Sequence, residues 1–577
     1  MVSVAQFLGI SCKTLDLTNV SEYSEILKKT VPEQQSCFVV NPRVLKQWVE
    51  AGGISADFAA FLLCHFSYLL VHGLRVDAFD SELVKALSQG KLNSVDAITG
   101  SNHVYAVARD SRNICESFSG LSFGPVNPGN DHVLGTSGND PEVKQLISID
   151  GKPFMAAVKL DRCECLFVAS EEVVDLSAEV GAAPLAEYFS RLMPLSMALR
   201  YVAGEECFRP RKAHATIVID DPLLRKSYGY LDFGSLLRLA NQHNFHTAIA
   251  FIPHNYRRNA SPITRMFQEN AARLSIFFHG NDHTEAEFAS TDSDFLGSLV
   301  HCAEDRMELL QQTTGLRSDR VMAFPQGRFS TNAMSVLKSR NFFAAVNSVQ
   351  HPYGKPVRLT IRELAQPAVL RYGGFPLFIR NPISRTQNCD VAFNLFFGRP
   401  VLIGEHHEIF QHPELLIEIA GRINFLAPEI NWSNLATVVS NSILSRRDPD
   451  GTYQVRAYSG TVRVENDSDR SRRYSIEWGG CSDASSIEQV LVDGVPCGAY
   501  VIDGSMLRFA VDLAPGDSRE FSLVHRNEFA FTAALGLRWK VRSLLRRRLS
   551  EFRDNYLSKH RFLLMVATAL QQRFFRI

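Results

Sequence analysis

From His214 to Phe425 the chain repeats one pattern: a short apolar run ends in a polar cluster, and a longer stretch with apolar residues at helical spacing follows. His214–Ile219 is a β run ending in Asp220-Asp221-Pro222, and Asp232 caps a helix whose apolar positions include Leu236, Leu237 and Leu239. Thr247–Ile252 predicts a strand, Ile263–Leu274 a helix, and Ser275–Phe278 a strand that runs into His279. A long helix is expected over Asp294–Gln312, and a strand over Arg320–Phe324 ends at Pro325-Gln326-Gly327. Pro400–Gly404 predicts a strand that reaches Glu405-His406-His407, and Pro413–Phe425 predicts a helix. Strands alternating with helices in this way predict a parallel α/β sheet or barrel.

The flanks have other textures. Ahead of the repeat, Ser36–Val40 predicts a strand, Pro42–Ala51 a helix and Val104–Ala108 a strand. Phe154–Lys159 and Cys165–Ala169 predict a strand pair, and Leu185–Tyr201 a helix. This is an α/β domain with flavodoxin-like as the candidate arrangement. It either binds something or braces its neighbour, and PVNPGNDHVLGTSGND (125–140) reads as a loop. The apolar stretch FAAFLLCHFSYLLVHGL from Phe58 is interrupted by His65 and His72. It is too short and polar to span about 30 Å of hydrocarbon, and is read as a buried helix. After Trp432 short alternating runs take over: Tyr453–Arg456, Val462–Val464, Ser475–Glu477, Glu488–Val492 and Leu507–Val511, with turns at Asp493-Gly494 and Pro515-Gly516. That pattern predicts an antiparallel β-sandwich. The expected domains are 1–205 (α/β), 213–440 (barrel), 441–525 (sandwich) and 526–577 (basic helical tail).

Composition adds a charge asymmetry. The 577 residues carry 61 Lys/Arg and 61 Asp/Glu, with 45 % apolar and 21 % charged residues, an ordinary globular balance that excludes long disorder. Residues 526–577 hold 12 Lys/Arg and 3 Asp/Glu, a net of +9, so the remaining 49 and 58 leave a net of −9. In WKVRSLLRRRLSEFRDNYL, from Trp539, Val541, Leu545, Phe552 and Tyr556 recur at helical spacing with Leu544 and Leu549 beside them. Such a basic amphipathic helix either lies on an anionic membrane or packs on the barrel or on a partner protein. The later apolar run FLLMVATAL is too short to span, and no stacking motif accompanies the basic residues, so nucleic acid is not an expected partner. Eleven scattered cysteines without C-x-x-C argue against a disulfide framework, and the first twenty residues do not read as a secretory signal. The expectation is a cytoplasmic protein, peripheral at the inner membrane face if the tail binds lipid.

Four polar clusters follow predicted strands: Asp220-Asp221, His279 to His283, Pro325-Gln326-Gly327 and His406-His407. In a parallel barrel the C-terminal strand ends share one face, where active sites are built, so clusters distant in sequence converge. Taken alone, each has a plain structural reading. Asp-Asp serves as a helix or turn cap, a lone H-x-x-x-H is often accidental, and His406 or His407 could be a satisfied core histidine. Together, two neutral imidazoles and one carboxylate are a set suited to catalytic zinc, with coordination positions left for water and substrate.

The motifs VIDDP, HGNDH, AFPQG and LIGEHH resemble, in order, those of the polysaccharide deacetylases, the metal-dependent carbohydrate esterases related to the rhizobial chitooligosaccharide deacetylase. The resemblance covers residues 213–440. It implies an irregular (β/α) barrel that removes acetyl groups from sugars, with Asp220 as general base and Asp221, His279 and His283 as metal ligands. It further implies Zn²⁺, or Co²⁺ or Ni²⁺, as cofactor, and His406, favoured over His407 by its spacing, as general acid. The implied partner is an acylated sugar or polysaccharide.

The pattern departs from the family at three places. Gly280 stands where Ser or Thr is usual, Ala323 stands where the third motif has arginine, with Arg328 after the glycine, and there is no Asp-Trp motif. Arg371 and Arg380, in RYGGFPLFIRNP, are the candidates to replace the missing cation. The competing reading is a catalytically inactive glycan-binding or scaffold protein of a polysaccharide-assembly complex on the same barrel.

Overall fold

The computed structural model describes residues 1–14, 37–49, 56–126, 129–136, 138, 140–180, 185–284, 286–479, 486–527, 529 and 536–556. The predicted ends at Ser36 and Ala51 and the apolar run at 562–570 lie outside them. The chain divides into two compact units: Met1–Phe208 with Thr360–Arg362 and Asn388–Phe396, and the remainder from Arg209.

The first unit holds a mixed seven-stranded sheet. Cys37–Val40, Tyr68–His72 and Glu164–Val168 run parallel. Lys152–Lys159, Val143–Ile149, His103–Val107 and Ser122–Val126 continue the sheet antiparallel. This corrects the flavodoxin-like expectation, which needs parallel crossovers throughout. The Asp150-Gly151 turn, both residues at positive φ, instead closes a hairpin between Val143–Ile149 and Lys152–Lys159. The stretch from Phe58 is also corrected, because it folds as a helix Ala56–His65 followed by the strand Tyr68–His72. The 125–140 stretch carries a strand, His132–Thr136, paired with Leu92–Ala97. The helix Phe189–Ala203 buries most of its length.

In the second unit eight parallel strands form the sheet: β1 (His214–Asp220), β2 (Thr247–Phe251), β3 (Leu274–His279), β4 (Ser318–Ala323), β5 (Ala344–Asn347), β6 (Leu377–Ile379), β7 (Val401–His406) and the short β8 (Asn431–Trp432), which pairs with the start of β1. The order is β6-β5-β4-β3-β2-β1-β7. A bridge between Asn381, just past β6, and Ile403 of β7 joins the two edges: Asn381 N–H donates to Leu402 O and Gly404 N–H to Asn381 O, both at 3.0 Å. The sheet therefore curls into an irregular barrel. Its strands are covered on both faces, which is why β1 and β2 are buried at every position and read as unbroken apolar runs.

Three of the helices between strands start where short polar side chains cap them. Asp232 Oδ1 accepts from Ser235 N–H, Asp292 Oδ1 from Asp294 and Phe295 N–H, and Ser330 Oγ from Ala333 N–H. The helix expected over 263–274 is shorter, Ser261–Glu269, because the chain must turn and enter β3 at Leu274.

The same unit contains a sandwich. One sheet orders Arg209–Pro210, Ile443–Arg447, Tyr453–Ala457, Arg472–Trp478, Met506–Leu513 and Tyr500–Asp503; the other orders Thr461–Glu465, Ser518–His525, Ile487–Val492 and Val495–Cys497. Val455, Tyr474 and Phe509 from the first meet Val464, Val490 and Phe521 from the second in one core. All pairings are antiparallel except Tyr453–Ala457 with Arg472–Trp478, which run parallel. The last described element of the unit is the helix Leu537–Asn555. Among the described residues no helix is long and apolar enough to cross a membrane.

Candidate active site

The register of β1 against its neighbours sets the site. Asp220 pairs with Ala250 of β2 and with His406 of β7, and His279 ends β3 beside Ala323 of β4. The C-terminal ends of β1, β3 and β7 thus bring Asp220, Asp221, His279, His283 and His406 to one face of the barrel.

Asp221 leaves the strand at φ 81°, and His283 turns back at φ 56°. Positive φ is costly for both residue types and persists where the surroundings fix it. Asp221 Oδ1 lies 3.4 Å from His279 Nε2 and 3.1 Å from His283 Nε2. His279 Nδ1 is 3.2 Å from Ala323 O, so that nitrogen carries the proton and Nε2 presents its lone pair to Asp221. Asp221 Oδ1 and His279 Nε2 are both buried without a hydrogen-bond partner. Orphaned acceptors facing one another are costly unless something positive sits among them. Ligand atoms of Asp221, His279 and His283 all lie within 4.8 Å of one another, and one carboxylate with two imidazoles fits a divalent transition metal.

Asp220 is placed differently. Arg380 donates Nη1 to Oδ1 and Nη2 to Oδ2, both at 2.6 Å, a bidentate pair with each residue 5 % exposed. Burial alone would raise the Asp220 carboxyl, but the Arg380 guanidinium, helped by His279 and His406, holds the group below the ordinary carboxylate range. Of the two candidate cations, Arg371 instead pairs with Glu363, and Arg328 stacks over Tyr353. Gly404 in β7 makes the Arg380 geometry possible, since a Cβ there would come 2.7 Å from Arg380 Cδ.

The two histidines of the last cluster diverge. His406 Nδ1 is 3.7 Å from Asp221 Oδ2, its side chain is 63 % exposed, and the negative charge of Asp221 beside it lifts its pKa above the ordinary value. His407 is buried edge-on against Tyr228, and its Nε2 is 3.6 Å from Asp554 Oδ2. Glu408 completes a second His-carboxylate group there, but Asp554 already accepts from Tyr228 Oη at 2.7 Å and from Arg553 Nε at 2.7 Å. That carboxylate is satisfied as an ion-pair and hydrogen-bond anchor.

Sequence reasoning missed the groups that hold the His279–His283 loop. Glu287 is buried, and its carboxylate accepts from the N–H groups of Asn281 (2.8 Å), Asp282 (3.3 Å), His283 (3.2 Å) and Thr284 (3.1 Å), and from Thr284 Oγ1 (3.0 Å). This explains Gly280: at φ 58° an added Cβ would fall 2.3 Å from Glu287 Oε1 and 2.4 Å from Pro325 Cγ. The carboxylate of Glu287 thus holds the loop through five donors.

Asp282 points away from the triad. It accepts from Trp539 Nε1 at 2.6 Å and Arg306 Nη1 at 2.8 Å, and lies 2.8 Å from His254 Nδ1. Burial pushes its pKa up, but His254, Arg306 and Trp539 bring it down to about 2. A Glu287→Gln substitution removes an acceptor oxygen that serves the loop and is expected to weaken divalent-metal affinity about 10–100-fold. Titration of the chelator-treated protein measures this, and unchanged affinity would show that the loop holds itself.

No family model matches the chain, and no curated protein matches it. It is similar to solved structures that include Agd3, a carbohydrate deacetylase, at 9 % identity and TM-score 0.46, covering 90 % of this chain and 96 % of that one. A family 4 carbohydrate esterase from Streptomyces lividans in complex with acetate is similar at 12 % identity and TM-score 0.24, over 40 % and 94 % of the two chains. A CE4 family pseudoenzyme from Bacillus anthracis, BA3943, is similar at 11 % identity and TM-score 0.24, over 38 % and 64 %.

Proposed function

We propose that this protein is a metal-dependent hydrolase that removes acetyl or similar acyl groups from an N-acetylated sugar or polysaccharide. The observation that carries the reading is the pairing of two differently equipped aspartates: Asp221 facing His279 and His283, and Asp220 clamped by Arg380 one residue away. A divalent transition metal such as zinc, cobalt or nickel, bound by Asp221, His279 and His283, supplies the Lewis acidity that polarises an acyl carbonyl and acidifies water.

The chain's residues divide the proton work. Asp220, kept ionised by Arg380, is the base that takes a proton from the attacking water. Arg380 is the positioning residue, its fork fixing both carboxylate oxygens so that Asp220 keeps one orientation. His406, on the rim of the site and reaching Asp221, is the acid that gives a proton to the departing sugar nitrogen. An amide nitrogen leaves readily only when protonated, so the reaction needs an acid on the side of the leaving group. The competing reading, a catalytically inactive glycan binder, rests on the missing third-motif arginine, and a cation at Asp220 supplied by Arg380 supports the enzyme reading against it.

The test is metal analysis of the purified full chain together with acetate release from N-acetylated oligosaccharides. Stoichiometric zinc, cobalt or nickel, with acetate release lost to chelator and restored by metal, is the expected result. Bound metal without release from any acylated sugar would move the reading to the glycan binder.

A further inference from the structure

The C-terminal helix Leu537–Asn555 is mounted on the barrel by its polar side. Trp539, Ser543, Arg547, Glu551 and Asp554 follow one another at steps of three or four and form one face. On that face Trp539 donates to Asp282, Glu551 pairs with Arg258 and Arg225, and Asp554 takes the Tyr228 hydroxyl. Asn555 Oδ1, in the last turn, accepts from Gly229 N–H at 2.9 Å. Ser543, Arg547 and Asp554 are at most 5 % exposed.

The opposite face carries Val541, Leu544, Leu545, Leu549, Phe552 and Tyr556, each at least 50 % exposed. A helix at the surface of a globular protein normally does the reverse, burying its apolar stripe and solvating its charges. A contiguous exposed apolar stripe of this kind marks an interaction surface. Its borders identify the partner. Exposed Arg542 and Arg553 edge the stripe, Arg538 and Arg548 stand within it, the latter 3.7 Å from Glu551, and residues 526–577 are net +9 against −9 for the rest of the chain. A dry helix–helix seam would bury Arg548 at a large desolvation cost. A bilayer interface lets its stem lie along the acyl boundary while its head meets lipid phosphate.

We propose that this face docks the protein on an anionic membrane surface. The polar face fixes the helix to the barrel rim, and Asp554 reaches His407, next to His406, so docking holds the rim of the Asp220–Asp221 site near the headgroups.

Deleting the whole tail is no test, because it also removes Trp539 and Asp554. The test uses the full chain and a Leu545→Glu/Leu549→Glu double substitution, which changes only the outward face. Wild-type protein is expected to sediment with phosphatidylcholine vesicles containing roughly 30 % phosphatidylserine, and the double variant to bind about tenfold less. Equal wild-type binding to phosphatidylcholine alone, full binding by the double variant, or wild-type protein left in the supernatant overturns the proposal. Light scattering and thermal unfolding identify the other occupants. A wild-type dimer made monomeric by the substitutions assigns the face to a second copy, and a lowered midpoint assigns it to residues 557–577; either result overturns membrane docking.

Discussion

Replacing His279 by alanine is expected to remove divalent-metal binding and to lower acetate release by about three orders of magnitude or more. The size follows from the several kcal/mol that metal polarisation contributes to such a transition state, about 1.4 kcal/mol per factor of ten. In the proposed site His279 is more than one ligand of three. Its Nδ1 is tied to Ala323 O, so its Nε2 is aimed at Asp221 before any metal arrives, and His283 depends on the same turn. The measurement that separates a ligand from a merely structural histidine is the thermal midpoint with and without metal. Metal that binds only the folded state raises the wild-type midpoint by mass action, and the His279→Ala midpoint is expected not to respond. A variant whose midpoint still rises with zinc would place the metal elsewhere.

Much of this site was legible in the sequence because parallel strands end on a common face. Asp220, Asp221, His279 and His406 lie at the ends of β1, β3 and β7, and the apolar runs that mark those strands also mark where each polar cluster must emerge. Arg380 was legible only as one of two cations. Its selection depends on Asn381 bridging to Ile403, a closure between strands that are adjacent in the chain but at opposite edges of the sheet order. Glu287 left no signal, since a carboxylate in an irregular loop looks like any solvated residue until its five donors are seen around it. The tail's amphipathic spacing was plain, but spacing says only that two faces differ. That the polar face turns inward depends on Tyr228, Arg258 and Asp282, which lie some 250 to 330 residues earlier. In the first unit, the pairing of Lys152–Lys159 with Glu164–Val168 was legible, whereas the His132–Thr136 strand was obscured by glycine- and proline-rich sequence that also suits a loop.

The Asp220–Arg380 pair makes the sharpest energetic prediction. Arg380→Met leaves a buried carboxylate without its counter-charge, and is expected to cost about 3–5 kcal/mol of stability. Asp220→Asn/Arg380→Met removes both charges and is expected to be more stable than Arg380→Met alone, while acetate release stays lost, because the double variant has no base. Strictly additive single effects would mean that the two groups do not act as a pair.

The pH dependence carries its own sign. In the wild type the folded-state pKa of Asp220 lies below its ordinary value of 3.8, so the pair's stabilisation is present above that value and fades as pH falls through the folded pKa. In Arg380→Met burial is opposed only by His279 and His406, so the folded pKa rises and the stabilisation that the carboxylate contributes above the carboxylate range shrinks. The stability gap between wild type and Arg380→Met should therefore widen as pH rises through the carboxylate range. Denaturant unfolding of the chelator-treated proteins over that range measures it. A gap that stays constant with pH would show that Arg380 braces β6 against β7 without governing the charge of Asp220.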